Sequence, residues 1–575
     1  MSNRDILARR IQIVAAALIV ISISMVIRLI FIQFQMDPAD KEYFEAQTQQ
    51  YVRLVEYLPT RGQIYDRNGE LFAVNSLEYE IGANPPLISD PVDAAQRLAV
   101  VLNKDELELY NLLNSDNLWV QLARPVSAAQ GQAVQDLDIY GVDIDPIATR
   151  DYPQGMLAAQ VIGFVGGDQK GNFGVEGAYE RDLAGESLVG EESAIPFEMT
   201  VQSAPRNGRD LVLTIDRDIQ FLAESELLRA IDETGAERGT ILIMRPRTGE
   251  ILAAANFPSY DPNNYYEVVD QPRLLINAAI SEQYEPGSVF KVVTMAAAIE
   301  EGLVLPGSTY NDQATKECGG ITIANWDDQA HGLIDMTQVL VQSLNVGTAT
   351  IVSEMGPTRF YRMVKAFGFG EPTRVDLQGE AAGILHVPSD TDWQESTLCT
   401  NSFGQGLAVT PLQMLTAVNA IANDGLMMQP HVVYQIIDGD QVYTTQPSPM
   451  GRPISAQTAH MVRDMMVQVV EQGTTQAQVP GYTVAGKTGT AQIPIPGGYE
   501  DDSSIVTFVG FFPADDPQVS VLIKLDRPDD YWGTLTAAPV FAHLAERLAI
   551  ELEIPADDMR MQIAAQGGNL SAIAH

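Results

Sequence analysis

The chain predicts an α/β (α+β) architecture in which a five-stranded antiparallel sheet lies between helices, behind a mixed, β-rich N-terminal region and one apolar helix. Three observations predict it. Segments 239–244 and 251–255 read as strands joined by the turn Pro246-Arg247-Thr248-Gly249. Segments 483–490, 505–511 and 519–525 supply three further strands late in the chain. The stretch between these groups is mainly helical, so two early and three late strands close one sheet around a helical insert.

Taken in order, the chain opens with a short tail, residues 1–10, followed by an apolar run over 11–34 broken only by Arg28. Its length meets the roughly 20 residues that a membrane crossing requires. Arg4, Arg9 and Arg10 precede the run and Asp37, Asp40 and Glu42 follow it, which places the N-terminus in the cytoplasm and the rest outside. The run exceeds the apolar core of a signal peptide, and no small-x-small site follows it, so a retained anchor is expected.

Residues 35–210 read as a loop-rich mixed domain. Within it Asp66-Arg67-Asn68-Gly69 is a tight turn between two short strands, read as an ordinary hairpin with paired surface charges. Ser115-Asp116-Asn117 ends a helix and reads as a turn. From about residue 211 the second domain begins and runs to 552. Helices are expected over 289–299, 336–343 and 346–355. Thr410-Pro411-Leu412-Gln413 is a capping box opening a helix that runs to Gly425. A helix over 537–552 closes the fold, and 553–575 reads as a tail.

Composition excludes several functions. A chain of 575 residues supports two or more cores. Its net charge of −40 argues against nucleic acid and against electrostatic attraction to anionic lipid. Two cysteines, Cys318 and Cys399, exclude a disulfide-rich scaffold and a cysteine-based zinc site, and their pairing is left open. The six histidines show no i, i+4 pair, and neither a Gly-x-Ser-x-Gly elbow nor a Walker phosphate loop is present. No cofactor or metal is expected.

Chemistry concentrates in Tyr284-Glu285-Pro286-Gly287-Ser288-Val289-Phe290-Lys291, which sets a serine on the first turn of a helix and a lysine one turn further on the same face. A desolvated amine there takes the hydroxyl proton as the oxygen attacks a carbonyl. Arginine would stay protonated. Only eight of the 35 Lys and Arg residues are lysines, so a titratable amine at Lys291 carries weight. Two further elements follow in the order this chemistry needs. Ser343-Leu344-Asn345 offers a proton relay and a carboxamide for a peptide amide. Lys487-Thr488-Gly489-Thr490, on a strand, presents donors to a carboxylate, with glycine letting a substrate backbone lie against the strand edge. The N–H groups of Ser288 and Thr490 would form an oxyanion hole.

This ordered set resembles the class B penicillin-binding proteins, the membrane-anchored D,D-transpeptidases of bacterial cell-wall synthesis. The likeness extends to Arg61-Gly62-x-Ile64-x-Asp66-Arg67-x-Gly69, Tyr152-Pro153, Gly174-x-Glu176, Phe403-Gly404-Gln405-Gly406 and Ala537-Ala538-Pro539-Val540-Phe541. It implies a penicilloyl-serine-transferase (β-lactamase-like) fold for 211–552 and a non-catalytic, dimerisation-type pedestal for 35–210. It implies that Ser288 attacks the penultimate D-Ala carbonyl of a peptidoglycan stem peptide, with Lys291 as base, Ser343 and Asn345 as the second motif, and Lys487 to Thr490 clamping the carboxylate. β-Lactams would acylate Ser288. A membrane-embedded glycan polymerase of the shape, elongation, division and sporulation family is the implied partner, and Ala83-Asn84-Pro85 leans toward the division branch. The competing readings are a D,D-carboxypeptidase or β-lactamase-type hydrolase and a membrane-bound β-lactam sensor.

Overall fold

The run Thr240-Ile241-Leu242-Ile243-Met244 has no polar alternation beyond its first residue, which is the pattern of a strand buried on both faces. In the computed structural model, which describes residues 3–35, 52–57, 59–193 and 205–565, it is such a strand. Helix α1 (Arg217–Thr234) leads into β1 (Arg238–Met244) and β2 (Ile251–Phe257). The late strands are β3 (Ala485–Ile495), β4 (Gly498–Phe512) and β5 (Val519–Asp526). The sheet order is β2-β1-β5-β4-β3, antiparallel throughout. All five strands are where the sequence places them, with β3 and β4 extending several residues further into a shared hairpin.

Ile241 and Ile243 point into one core with Leu222 and Leu227 of α1 and with Phe541 and Leu544 of the closing helix Ala537–Glu551. Leu242 and Met244 point into the other. That second core holds α2 (Lys291–Glu300), whose residues from Lys291 to Ile299 are all buried. A helix apolar all round belongs inside, and its burial fixes the position of its first turn. The insert also contains α3 (Met336–Val341), α4 (Asn345–Met355) and α5 (Pro411–Ala422). The capping box forms: Gln413 N donates to Thr410 Oγ1 at 3.1 Å and Thr410 N to Gln413 Oε1 at 2.9 Å. Helix α5 stops at Ala422 rather than at Gly425. A disulfide joins Cys318 to Cys399.

A second sheet is built from Ile64–Tyr65, Leu71–Ala83, Val120–Val126 and Val142–Asp151. Asp210–Leu213 lies beside Ile64–Tyr65 in it, and Val433–Asp438 and Gln441–Thr444 extend it from late in the chain. The turn after Tyr65 forms as expected, but its charges are not at the surface. Asp66 is fully buried and accepts from the N–H groups of Asn68 (2.8 Å), Glu70 (2.8 Å) and Arg217 (3.1 Å), so it ties the hairpin to the first residue of α1. Arg61 and Arg150 converge on the buried carboxylate of Glu176 at 2.6 and 2.7 Å. With Glu180, which pairs with Arg61 at 2.7 Å, four residues scattered through the early sequence thus make one ion cluster.

Part of the presumed tail is ordered. Asp557–Ala565 is helical, and Asp557 Oδ2 accepts from both N and Oγ1 of Thr483 at 2.7 Å. A separate unit holds helix Asn3–Gln35 and the antiparallel pair Val52–Tyr57 with Leu188–Ser193. Within the helix, Gln12–Phe31 is long and apolar enough to cross a membrane, with its side chains exposed.

Candidate active site

Ser288 lies in a 3₁₀ turn, Gly287–Phe290, and the α-helix starts only at Lys291. Residues i and i+3 eclipse in that geometry, which sets Lys291 on the side of Ser288. The turn needs glycine at its entry. Gly287 has φ +58°, and a Cβ there would come within 2.7 Å of Thr490 O. Gly404 packs on it so closely that a Cβ would meet Gly287 O at 2.2 Å.

The second segment is a helix end. After α3 the chain turns with Leu344 N donating to Val339 O (3.0 Å) and Ser343 N to Leu340 O (3.2 Å), the paired bonds of a Schellman cap. Ser343 occupies the left-handed position at φ +56°, where glycine is favoured. Asn345 begins α4, and its Nδ2 donates to Ala324 O at 3.1 Å. Its Oδ1 accepts from no group among the described residues.

The third segment is edge strand β3. Lys487, 1 % exposed, donates to Ser343 Oγ at 3.1 Å and to Thr488 O at 3.0 Å. Lys291, fully buried, donates to Ser343 O at 2.5 Å and to Ser343 Oγ at 3.3 Å. Its hydrogen bonds go to Ser343 rather than to Ser288. Burial, and then the neighbouring Lys487 charge, push the Lys291 amine well below the usual lysine range. Burial brings Lys487 down to about 7.

These groups meet at a cleft of about 660 Å³, lined by Ser288, Ser343, Asn345, Lys487, Thr488 and Thr490. Lys291 sits behind Ser343. Gly489 does not face the cleft: a Cβ there would lie 2.8 Å from Pro286 O and 3.0 Å from Val289 Cγ1. The glycine lets the Ser288 turn abut the strand, in place of the substrate contact expected from sequence. Sequence reasoning also missed the rim. Trp326 and Trp532 line the cleft, exposed and edge to face with ring centroids 5.5 Å apart. The Trp326 indole N–H donates to Gln342 O at 2.9 Å. The signal available was that two of only four tryptophans follow β-like segments near the motifs.

A half-buried serine, a buried amine with little affinity for a proton, a hydroxyl between that amine and a second one, and an edge strand define a serine acyl-transfer enzyme on a five-stranded sheet. Comparisons with known proteins agree. The penicillin-binding protein transpeptidase domain matches residues 239–546, and the penicillin-binding protein dimerisation domain matches 56–211. The chain is 33% identical to the stage V sporulation protein D of Bacillus subtilis over 92% of this chain and 83% of that protein. It is 31% identical to a probable peptidoglycan D,D-transpeptidase, PenA, of Neisseria meningitidis over 92% and 91%. Penicillin-binding protein 3 of Mycobacterium tuberculosis, solved in complex with aztreonam, superposes with a TM-score of 0.69 at 31% identity, covering 87% of this chain and 98% of that one. The chain belongs to the penicillin-binding protein transpeptidase family.

Proposed function

We propose that this protein cross-links peptidoglycan stem peptides through an acyl-enzyme on Ser288. The supporting observation is the convergence of two lysine amines, from segments far apart in sequence, on Ser343 Oγ beside that serine. Lys291, kept neutral by burial, accepts the Ser288 proton as Oγ attacks the penultimate D-Ala carbonyl carbon. The C–N bond to the terminal D-Ala breaks, and Ser343 relays the proton to the departing amine. Lys487, with Thr488 and Thr490, holds the terminal carboxylate, Asn345 Oδ1 accepts a substrate amide N–H, and the N–H groups of Ser288 and Thr490 hold the oxyanion. An amine from a second stem then takes the acyl group. β-Lactams acylate the same serine.

In this reading 35–210 is the pedestal and 211–552 the transpeptidase domain. The Asn3–Gln35 helix anchors the chain in the cell membrane with its arginine-flanked N-terminus inside. The Cys318–Cys399 disulfide favours a catalytic domain outside the reducing cytoplasm. A membrane-embedded glycan polymerase supplies the strands. The test is labelling of the full-length chain in detergent by a fluorescent penicillin. Wild type is expected to label and Ser288→Ala to lose the label with unchanged thermal unfolding; persistent labelling of the variant would move the nucleophile elsewhere. Cross-linking of lipid-linked substrate with a partner polymerase, against release of D-Ala alone, separates transpeptidation from hydrolysis.

A further inference from the structure

Among the described residues that line the cleft, Lys487 alone bears a charge; no arginine, aspartate or glutamate does. The rest of the polar lining is hydroxyls and carboxamides, the latter from Gln342, Asn345, Gln405 and Gln492. The nearest acid in sequence to Ser288 is Glu285, buried, with its carboxylate accepting from Gly406 N at 2.9 Å and from the Tyr499 hydroxyl at 3.2 Å. The Lys291 amine is the other basic group close by, but it is held inside on Ser343 and is kept neutral by burial. The site therefore provides for one anion, at Lys487.

A stem peptide offers more than one carboxyl group. Its C-terminal carboxylate goes to Lys487, on the reading of Ser288 given above. A second, on a side chain further up the stem, would meet hydroxyls and carboxamides, whose oxygens it cannot donate to, and no cation to balance its charge. It would also approach a chain of net charge −40. A carboxamide in its place donates and accepts, which is what glutamine and asparagine side chains complement. The Trp326–Trp532 pair beside these amides adds an apolar wall that favours a neutral neighbour over a hydrated ion. We propose that the donor substrate is a stem peptide whose side-chain carboxyl groups are amidated, so that its terminal carboxylate is its single anion.

The experiment uses two synthetic stem peptides ending in D-alanyl-D-thiolactate, identical except that one carries side-chain carboxylates and the other carboxamides. Acylation of the full-length chain in detergent is followed by intact mass, with benzylpenicillin as a control for a working Ser288. The carboxamide peptide is expected to acylate with a kcat/KM at least about tenfold higher, equivalent to about 1.4 kcal/mol. The gap should narrow as salt is raised. It should also narrow in Gln492→Lys, and independently in Gln405→Lys, through a faster reaction of the carboxylate peptide. Equal rates, a faster carboxylate peptide, or acylation by neither peptide while benzylpenicillin still reacts would overturn the proposal. Loss of the benzylpenicillin reaction as well would instead overturn the assignment of Ser288.

Discussion

Lys291 and Lys487 direct their amines at the same atom, Ser343 Oγ, from 3.3 and 3.1 Å. One oxygen can accept from both, but two adjacent buried ammonium groups repel, and desolvation penalises each charge. The pair therefore favours a state with one proton fewer than two free lysines would hold. The neutral member falls on Lys291, whose affinity for a proton is lowered by burial and by its neighbour.

The first prediction concerns pH. Acylation by benzylpenicillin needs a neutral Lys291 and a protonated Lys487, so its kcat/KM should rise on the acid side as Lys291 loses its proton. It should fall on the alkaline side as Lys487 does, from a free-enzyme value of about 7. Lys487→Arg should move the alkaline limb to higher pH, because a guanidinium keeps its proton. Lys291→Ala should lower the rate by about 10²–10⁴-fold at every pH. Stopped-flow labelling across the pH range reads all three, and an unmoved alkaline limb in the arginine variant would count against Lys487 as the group responsible.

Ser343 sits at a left-handed helix cap, φ +56°, where a side chain is strained and glycine is not. Ser343→Gly and Ser343→Ala both remove the hydroxyl, so both should lose most acylation. The glycine variant should be the more stable of the two by about 1 kcal/mol. Denaturant unfolding of the two variants side by side isolates the backbone contribution.

Lys487 contributes instability that function requires. Its folded value of about 7 lies below the unfolded 10.5, so between those pH values the unfolded chain holds more protons and stability rises with pH. Below about 7 the penalty is fully present. Lys487→Met should therefore unfold at least about 2 °C higher than wild type in mildly acidic buffer, with the advantage fading as pH approaches 10.5. Thermal scans at several pH values would show the trend, and a pH-independent difference would contradict it.

Glu176 neutralises Arg61 and Arg150 in a site from which its own side chain is wholly excluded from water. Glu176→Ala leaves the buried Arg150 guanidinium without its carboxylate, while Arg61 keeps Glu180 at 2.7 Å, and should cost about 3 kcal/mol. Penicillin labelling at low temperature should persist, since Ser288 is served by other elements. Thermal unfolding followed alongside labelling distinguishes a structural from a catalytic loss.

Much of this architecture was readable locally. Strands β1 and β5 announce themselves through largely β-branched and aliphatic runs, and Thr410 with Gln413 specifies a helix start through bonds that span three residues. What the sequence hides is convergence. Val433–Asp438 joins a sheet with Asp210–Leu213, a pairing no local pattern encodes. Arg61, Arg150 and Glu176 look like surface charges until the fold brings them together. The helix over Asp557–Ala565 is marked by weak amphipathicity and is stabilised by Asp557 contacting Thr483 across the chain. In the site, the motif spacing pointed to Ser288, Lys291, Ser343 and Lys487, which the structure brings together. The inward orientation of Gly489 and the meeting of Trp326 with Trp532 depend on neighbours that only tertiary packing supplies.

The tight contacts at Gly287, Gly404 and Gly489 constrain how this enzyme can adapt to drugs. A methyl group at any of the three would drive into backbone oxygen atoms of the segment carrying Ser288 or of the strand beside it, so substitutions that shrink the cleft from behind are closed to selection. The outer wall carries no such restriction at positions such as Trp326, Gln405 and Gln492, where a change alters which acyl groups enter before it disturbs the nucleophile.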